Sequence, residues 1–204
     1  MKCWSDILTP IGYNVTKEFY NAEISGGANS ELAKKFYPNH TLDEQMKLMN
    51  DKEAHARELF GTSLVPLPGL LELISYLKQH SIKLAAVTNA PKLNAYFMLD
   101  AIKLTKEFDE IILAEQLQYS KPHPLPYHTA MNKFNVQPSE CIIFEDSLNG
   151  CKSGVSSTGC TVGVATTHTH TSLQSIGVNY VVNDFSEIKL DESLLNIDNF
   201  VKTK

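Results

Sequence analysis

The sequence of 204 residues contains no apolar run that approaches the ~18 residues a membrane-spanning helix requires. Its first stretch also lacks the apolar region of a secretory signal, because it is interrupted by Ser5, Asp6, Thr9 and Pro10. No C-x-x-C pair occurs among the four cysteines, which are Cys3, Cys141, Cys151 and Cys160. We therefore expect a cytoplasmic protein with reduced thiols, without a membrane span, a disulfide framework or a structural zinc site.

Arginine is almost absent, since Arg57 is the only one among 18 basic residues, and 23 acidic residues give a net charge of -5. This balance argues against nucleic acid or an anionic membrane surface as the main partner. The motifs G-x-x-x-x-G-K, G-x-G-x-x-G and G-x-S-x-G are missing as well. Their absence removes the P-loop, dinucleotide-binding and serine-hydrolase interpretations.

What is present is an ordinary globular composition, with 43% hydrophobic and 20% charged residues. Residues 1–64 favour helices and contain no good strand, with helix starts indicated by Thr16 and by the capping box Thr41–Glu44. A stiff, proline-marked junction follows at 64–69. We place a domain boundary there and predict an α-helical domain at 1–64 and an α/β domain at 65–204.

After the junction, apolar strands alternate with helices. The pattern predicts strands at 82–87, 111–113, 141–145, 161–165 and 180–182, and helices between them. Such alternation is typical of a doubly wound, parallel, Rossmann-like sheet with right-handed crossovers. One of the intervening helices carries Leu93, Phe97, Met98 and Ile102.

The stretch 141–150 organises this part of the chain. Its apolar start predicts a strand buried on both faces, and it runs directly into the adjacent carboxylates Glu145 and Asp146. Ligands of open parallel sheets bind beyond the carboxyl ends of the strands, and paired carboxylates suit Mg²⁺. The alternative is that Asp146 only caps the next helix and that Glu145 is solvated.

Three further polar residues follow strands or precede helices in the same way. Thr88 and Asn89 leave the strand at 82–87, and Lys121 precedes a helix. A hydroxyl, an amide and a cation near two carboxylates form a set suited to phosphoryl transfer. Taken singly, Asn89 could be a helix cap and Lys121 a surface lysine.

These residues resemble motifs two, three and four of the haloacid dehalogenase-like hydrolase superfamily. The matching segments are Thr88-Asn89, Lys121-Pro122 and Phe144-Glu145-Asp146-Ser147. The wider match is to its sugar-phosphate phosphatases and β-phosphoglucomutases, and it implies a small α-helical cap at 1–64 over a core at 65–204. It further implies catalytic roles for Thr88 and Lys121, and phosphate binding by Thr88, Asn89 and Lys121. The implied cofactor is Mg²⁺, held by Asp146 and Glu145.

The resemblance also assigns the loop around Ser25–Asn29 to substrate contact. Its candidate binding residues are Ser25, Gly26, Gly27 and Asn29. Gly27 stands where relatives often have a lysine, so recognition of a phosphosugar there is expected to be weaker or different. His168 and His170 lie in a polar run without a nearby cysteine or acid, which makes them poor candidates for a metal pair.

One departure from the family is the Asp-x-Asp motif, which supplies the nucleophile and the general acid/base. No two aspartates of this sequence stand two positions apart. The strand that carries the motif would lie between the strands at 82–87 and 141–145. Without it we expect weaker Mg²⁺ binding and little catalysis, and either closing of these two strands on each other or further sequence upstream.

The resulting hypothesis is a Mg²⁺-dependent phosphatase of small phosphorylated metabolites, such as sugar phosphates, that uses a phosphoaspartyl mechanism. We expect it to act as a monomer, with a small phosphorylated metabolite as its partner and no nucleic acid or membrane. Two alternatives stay open. One is a β-phosphoglucomutase-type isomerase, and the other is a catalytically inactive protein that binds phosphate or has a structural role.

Overall fold

The computed structural model of the chain describes residues 1–61 and 63–190. The first 61 residues, called the helical segment below, form four α-helices. These are α1 (Lys2–Leu8), α2 (Lys17–Glu23), α3 (Asn29–Phe36) and α4 (Leu42–Phe60). They pack around a core that contains Trp4, Leu8, Leu32, Phe36 and Met49.

Local sequence signals account for the bounds of these helices. The Thr16 hydroxyl accepts a hydrogen bond from the Phe19 N–H at the start of α2. Thr41 and Glu44 form the predicted capping box of α4, which ends before Gly61. The loop before α3 ends one residue earlier than predicted, because Asn29 already belongs to the helix.

The α/β segment, from residue 63 to 190, alternates helices and strands as predicted. In chain order it contains α5 (Leu70–Gln79), β1 (Ala85–Thr88), α6 (Lys92–Ala101), β2 (Glu110–Leu113), α7 (Leu125–Phe134), β3 (Ile142–Glu145), α8 (Leu148–Ser156), β4 (Cys160–Val164), α9 (His170–Gln174) and β5 (Tyr180–Val182). Its largest core cluster surrounds β4, where Val162 is fully buried.

The strands form two parallel sheets rather than one. β1 pairs with β2, and β3 pairs with β4, which pairs with β5. Of the two expected alternatives, the one in which β1 and β3 close on each other is therefore wrong. A physical reason lies at their carboxyl ends, where the Lys121 side chain hydrogen-bonds both the Val87 carbonyl and the Glu145 carboxylate and so stands between the strands.

Two predicted features of the strands need correction. β1 begins at Ala85 and not at residue 82. Ser81 lies in a turn with a positive φ, and residues 82–84 have no regular structure, with the Leu84 N–H donating to the Asp109 side chain. β3 is not buried on both faces, since only Ile143 and Glu145 are buried along it.

Helix α6 does not bury the apolar residues that the sequence pattern places on one of its faces. Leu93 is 69% exposed and Met98 is 42% exposed, whereas Asn94 and Ala95 are buried. The reason is polar, because the Asn94 side chain hydrogen-bonds Glu53 of helix α4. Contact with the helical segment therefore sets the orientation of α6 more strongly than its apolar pattern.

The remaining sequence expectations concern cysteines and membranes. All four cysteines are free thiols in the structure. Within residues 1–61 and 63–190, no helix is both long and apolar enough to cross a bilayer. Residues 191–204, which the predicted α/β domain includes, lie outside the described part of the chain.

The close packing of Gly69 at the start of α5 gives the first prediction. Gly69 has φ +78°, and a Cβ there would overlap the backbone of Phe185 and Ser186. Gly177 has φ +94° with nothing within 4 Å of a Cβ, so it provides a matched control. Substitution Gly177→Ala should cost about 1 kcal/mol in free energy of unfolding from backbone strain alone. Substitution Gly69→Ala should cost at least about 2 kcal/mol because overpacking adds to the strain.

Urea unfolding of the two variants measures this difference. Equal losses of unfolding free energy would show that the backbone around Phe185 moves aside without cost, and would contradict close packing of α5 on this turn.

Candidate active site

A cavity of about 570 Å³ lies between the helical segment and the carboxyl ends of β1 and β3. Its floor comes from the α/β segment and contains Thr88, Asn89, Lys121, Glu145 and Asp146. Its opposite wall comes from the helical segment and contains Ser25, Gly26, Gly27, Asn29, Lys52 and Glu53. The structure therefore brings every predicted site residue to a single cavity.

Lys121 and Glu145 form a buried ion pair at the floor, with only 6% and 7% of each residue exposed. The Lys121 ammonium group also donates to the Val87 carbonyl oxygen at 2.7 Å. The Tyr127 hydroxyl donates to the same Glu145 oxygen that the lysine contacts. Lys121 is thus fixed between β1, β3 and α7, which excludes the alternative that it is a surface lysine.

The surroundings of Glu145 are correspondingly closed. Burial, followed by the nearby Glu145 charge, raises the pKa of the Tyr127 hydroxyl well above its usual value, so it stays protonated as a donor. The same two causes raise the pKa of the Cys151 thiol to about 12. Gly150 is required by contact, because a Cβ there would overlap the Glu145 carboxylate. The alternative of a solvated Glu145 is therefore wrong.

Asp146 has a different environment from its neighbour. It is exposed, and its carboxylate accepts a hydrogen bond from Thr166 Oγ1 at 3.4 Å. Helix α8 is capped by Ser147, whose hydroxyl accepts from the Gly150 N–H at 3.0 Å, so Asp146 is not needed as the cap.

This environment allows the predicted magnesium role to be tested against the structure. Both lysines at the cavity are paired with glutamates, whereas Asp146 has no ion-pair partner among the described residues. An open carboxylate beside a second carboxylate fits the oxygen ligands that Mg²⁺ prefers. The donor set supplied by the described residues is small, since they contain no group of three or more His, Cys, Asp and Glu side chains suited to a metal.

Thr88 and Asn89 follow β1 directly and turn towards the cavity. Thr88 Oγ1 accepts the Ala90 N–H at 3.0 Å, and its own O–H stays available to donate to an anion. The Asn89 side chain hydrogen-bonds the backbone of Lys121 and of Gly26. Pro91 and not Asn89 is the N-cap of α6, so Asn89 is not there as a helix cap.

The 25–28 loop, together with Asn29 at the start of α3, forms the side of the cavity nearest to Asn89. Gly26 has φ +73°, and a Cβ there would lie 2.5 Å from Ser147 Oγ, so the loop approaches α8 closely. The Asn29 side chain donates to Glu53 at 2.9 Å and accepts from Lys52 at 3.0 Å. The predicted substrate contacts of these residues stay a prediction.

The sequence interpretation missed the polar cluster on the opposite wall. Lys52 is 6% exposed, pairs with Glu53, and lies 4.2 Å from the centre of the Trp4 ring. Burial lowers the Lys52 pKa, and the charge of Glu53 opposes that change. A signal for Lys52 exists, because the buried positions of α4 recur at helical spacing, namely Gln45, Met49, Lys52 and Ala56. Lys52 therefore falls on the apolar face of this helix, where a lysine is unusual.

Tyr127 was also missed as a site residue, since in the sequence it only forms part of an apolar helix stripe. The two histidines lie in different surroundings. His170 contacts Asn183, and His168 is buried with its Nε2 unpartnered among the described residues. Burial lowers the His168 pKa, while the Asp146 charge acts in the opposite direction.

Sequence comparison connects this geometry to characterised proteins. Validoxylamine A 7'-phosphate phosphatase of Streptomyces hygroscopicus is 29% identical over 153 residues, which cover 75% of this chain and 70% of that protein. Phosphorylated carbohydrates phosphatase of Thermotoga maritima is 32% identical over 100 residues, 49% of this chain and 46% of that protein. The match to the second protein therefore spans less than half of its length.

Solved structures of other proteins share the fold of this chain. A HAD hydrolase of family IA, variant 3, from Entamoeba histolytica superposes with a TM-score of 0.83 and 26% identity, covering 97% of this chain and 91% of that chain. β-Phosphoglucomutase from Clostridium difficile gives 0.82 with 22% identity and covers 97% and 88%. The family model described as haloacid dehalogenase-like hydrolase matches residues 1–175. Since that match includes every residue of the cavity floor, this chain belongs to the haloacid dehalogenase-like hydrolases.

Proposed function

We propose that the chain forms the phosphate-binding site of a Mg²⁺-dependent phosphatase that acts on small phosphorylated metabolites, such as sugar phosphates. The observation that carries the proposal is the meeting of Thr88, Lys121 and Asp146, from three separate elements, in one cavity. In the same proposal, residues 1–64 act as a cap over the core that begins at residue 65. The two relatives named above are both phosphatases, which supports the reaction class.

Each floor residue has a role that follows from its charge and position. The Lys121 ammonium group attracts the phosphate and stabilises the charge of its oxygens. Thr88 donates its O–H to a phosphate oxygen, next to the start of α6. Asp146, with Glu145 behind it, would hold Mg²⁺, which when bound polarises the phosphoryl group as a Lewis acid.

The nucleophile in this proposal is an aspartate that the described part of the chain does not supply. Among the described residues, the carboxylates at the cavity belong to Glu53, Glu145 and Asp146. Both glutamates are paired with lysines, and Asp146 is assigned to the metal. A phosphoaspartyl mechanism therefore needs another aspartate at this place, on a strand next to β1 and β3.

The opposite wall supports a hydroxylated substrate. Lys52, Glu53 and Asn29 present donors and acceptors to the cavity, which suits an alcohol-rich group better than an apolar one. Two alternatives remain, a mutase of the β-phosphoglucomutase type and a protein that binds phosphate without catalysis. The absence of a spare carboxylate among the described cavity residues is the observation that favours the second.

Ligand binding gives a prediction for Asp146. Inorganic phosphate together with MgCl₂ should raise the melting temperature more than either alone. At 100 times the Kd the gain is about 2.7 kcal/mol, or roughly 5–10 °C for a chain of this size. Substitution Asp146→Asn should remove the magnesium effect and keep a smaller response to phosphate. The control Asp51→Asn removes the same charge from an exposed pair on α4 and should behave like the unmodified chain.

Thermal shift with phosphate alone, MgCl₂ alone and both together measures these effects. If neither ligand changed the melting temperature of the unmodified chain at millimolar concentration, the result would count against phosphate binding altogether.

A second prediction separates the structural and the ligand-binding roles of Lys121. Substitution Lys121→Met should reduce the free energy of unfolding by about 3–5 kcal/mol, because Glu145 is left buried without its cation. Adding Glu145→Gln should restore part of this loss, since glutamine still accepts from Tyr127. Neither variant should respond to phosphate, because both lack the ammonium group.

Urea unfolding and phosphate titration of both variants provide the measurements. Lys133→Met, which breaks an exposed ion pair with Glu110, is the control and should lose at most about 1 kcal/mol. A normal phosphate response in Lys121→Met would show that the lysine is structural only.

The source of the nucleophile can be tested by mass. The protein isolated from its own source should exceed 22.7 kDa by roughly 2 kDa, the size of a strand with its loop, and should contain an Asp-x-Asp peptide. It should hydrolyse phosphate monoesters in the presence of MgCl₂, whereas a chain of 204 residues should not. A native mass of 22.7 kDa would favour the non-catalytic alternative.

A further inference from the structure

The Asn89 side chain joins two parts of the site that lie on different segments. Its Nδ2 donates to the Gly26 carbonyl at 2.9 Å and to the Lys121 carbonyl at 3.0 Å. Its Oδ1 accepts from the Lys121 N–H at 3.1 Å. An asparagine amide has two N–H donors, and both are used here. No donor of this side chain is left for a phosphate oxygen in this structure.

We propose that Asn89 is a positioning residue that ties the 25–28 loop to Lys121, so that seating the helical segment over the cavity fixes the place of the Lys121 ammonium group. This inference rests on the proposed function only for the role of Lys121. The hydrogen bonds that carry it involve no ligand.

The contacts of the 25–28 loop couple it to the position of the helical segment over the cavity. It is tied to the helical segment by hydrogen bonds from Ser25 N to Tyr20 O at 2.9 Å and from Gly27 N to Ile24 O at 3.0 Å. Its Gly26 reaches the α/β segment and fits against Ser147 only because it lacks a Cβ. Movement of the helical segment away from the cavity must therefore break the Gly26–Asn89 hydrogen bond.

Lys121 is held from two sides, which makes such coupling effective. Asn89 holds its backbone through both the N–H and the carbonyl, while Val87 O and Glu145 hold its ammonium group. Loss of the backbone contacts would leave the side chain anchored only at its far end. The ammonium group should then exchange more often between its buried place and solvent.

Other hydrogen bonds between the two segments end elsewhere. The Asn21 side chain donates to the Thr167 carbonyl at 3.1 Å, and the Ser120 hydroxyl donates to Glu31 at 3.1 Å. Asn21 is a matched control, because it also joins an asparagine N–H to a backbone carbonyl across the two segments. Within the described part of the chain, the Asn21 side chain has no hydrogen bond to Lys121 or to the 25–28 loop.

The test compares Asn89→Ala with Asn21→Ala in the full chain and without any phosphate. One readout is amide hydrogen exchange of residues 25–28, followed by mass spectrometry. The other is the rate at which an amine-acetylating reagent modifies Lys121, which is 6% exposed in the structure. Asn89→Ala should raise both rates by about three- to tenfold, the effect of losing buried hydrogen bonds. Asn21→Ala should change neither.

A third variant protects the test against simple misfolding. Asn89→Asp keeps the acceptor for the Lys121 N–H and loses both donors, so exchange of the loop should rise while acetylation of Lys121 rises less. Exchange of the β4 amides around Val162 should stay slow in all three variants if the fold is intact.

Two outcomes would overturn the proposal. Equal effects of Asn89→Ala and Asn21→Ala would mean that any hydrogen bond between the two segments protects the loop and Lys121, and that Asn89 has no special role. Unchanged loop exchange and unchanged acetylation in Asn89→Ala would also contradict it, and weaker phosphate binding by that variant in a separate titration would then identify Asn89 as a direct ligand. Because neither rate depends on catalysis or phosphate, failure of the proposed phosphatase activity would leave this test readable.

Discussion

The buried contact between Lys121 and Glu145 is the interaction on which the rest of the site depends. It joins the carboxyl ends of β1 and β3, which belong to separate sheets and share no backbone pairing. A lysine taken out of water costs several kcal/mol unless its charge and its donors are satisfied. Glu145 and Val87 O meet that requirement, and Tyr127 fixes the carboxylate that does so. The position of the proposed phosphate site is therefore set by side chains as much as by the sheets.

The helical segment completes the site by supplying a second buried lysine opposite the first. Lys52 is satisfied by Glu53, Asn29 and the face of Trp4. Asn94 connects this cluster to α6 by contacting Glu53 and Arg57. The two lysines thus face one cavity, each with its own glutamate, and polar contacts between the segments hold them in place.

Local signals in the sequence were enough to predict most elements, the parallel pairing and the floor of the cavity. Thr88 and Asp146 could be found because polar residues at strand ends stand out against apolar runs. Lys121 lies in the loop before α7 and was found through the resemblance of Lys121-Pro122 to a family motif. Contacts made across the fold could not be predicted. Leu93 and Met98 form part of an apolar stripe yet are exposed, since Asn94 binds the helical segment. Tyr127 was missed for another reason. In the sequence, a tyrosine that uses its hydroxyl in a buried site gives the same periodic apolar pattern as a phenylalanine that only packs in the core.

Charge at the cavity explains why an anion and a cation should bind together. The described lining residues include two lysines and three carboxylates, and each lysine is compensated by a glutamate. A phosphate entering alone would therefore share Lys121 with Glu145 and face the open carboxylate of Asp146 as a like charge. A divalent cation on Asp146 reverses the sign of that interaction. Binding of each ion must then favour binding of the other, because coupling free energies are reciprocal. Under the proposed function, the open Asp146 beside a compensated Lys121 therefore favours a metal–phosphate pair over phosphate by itself.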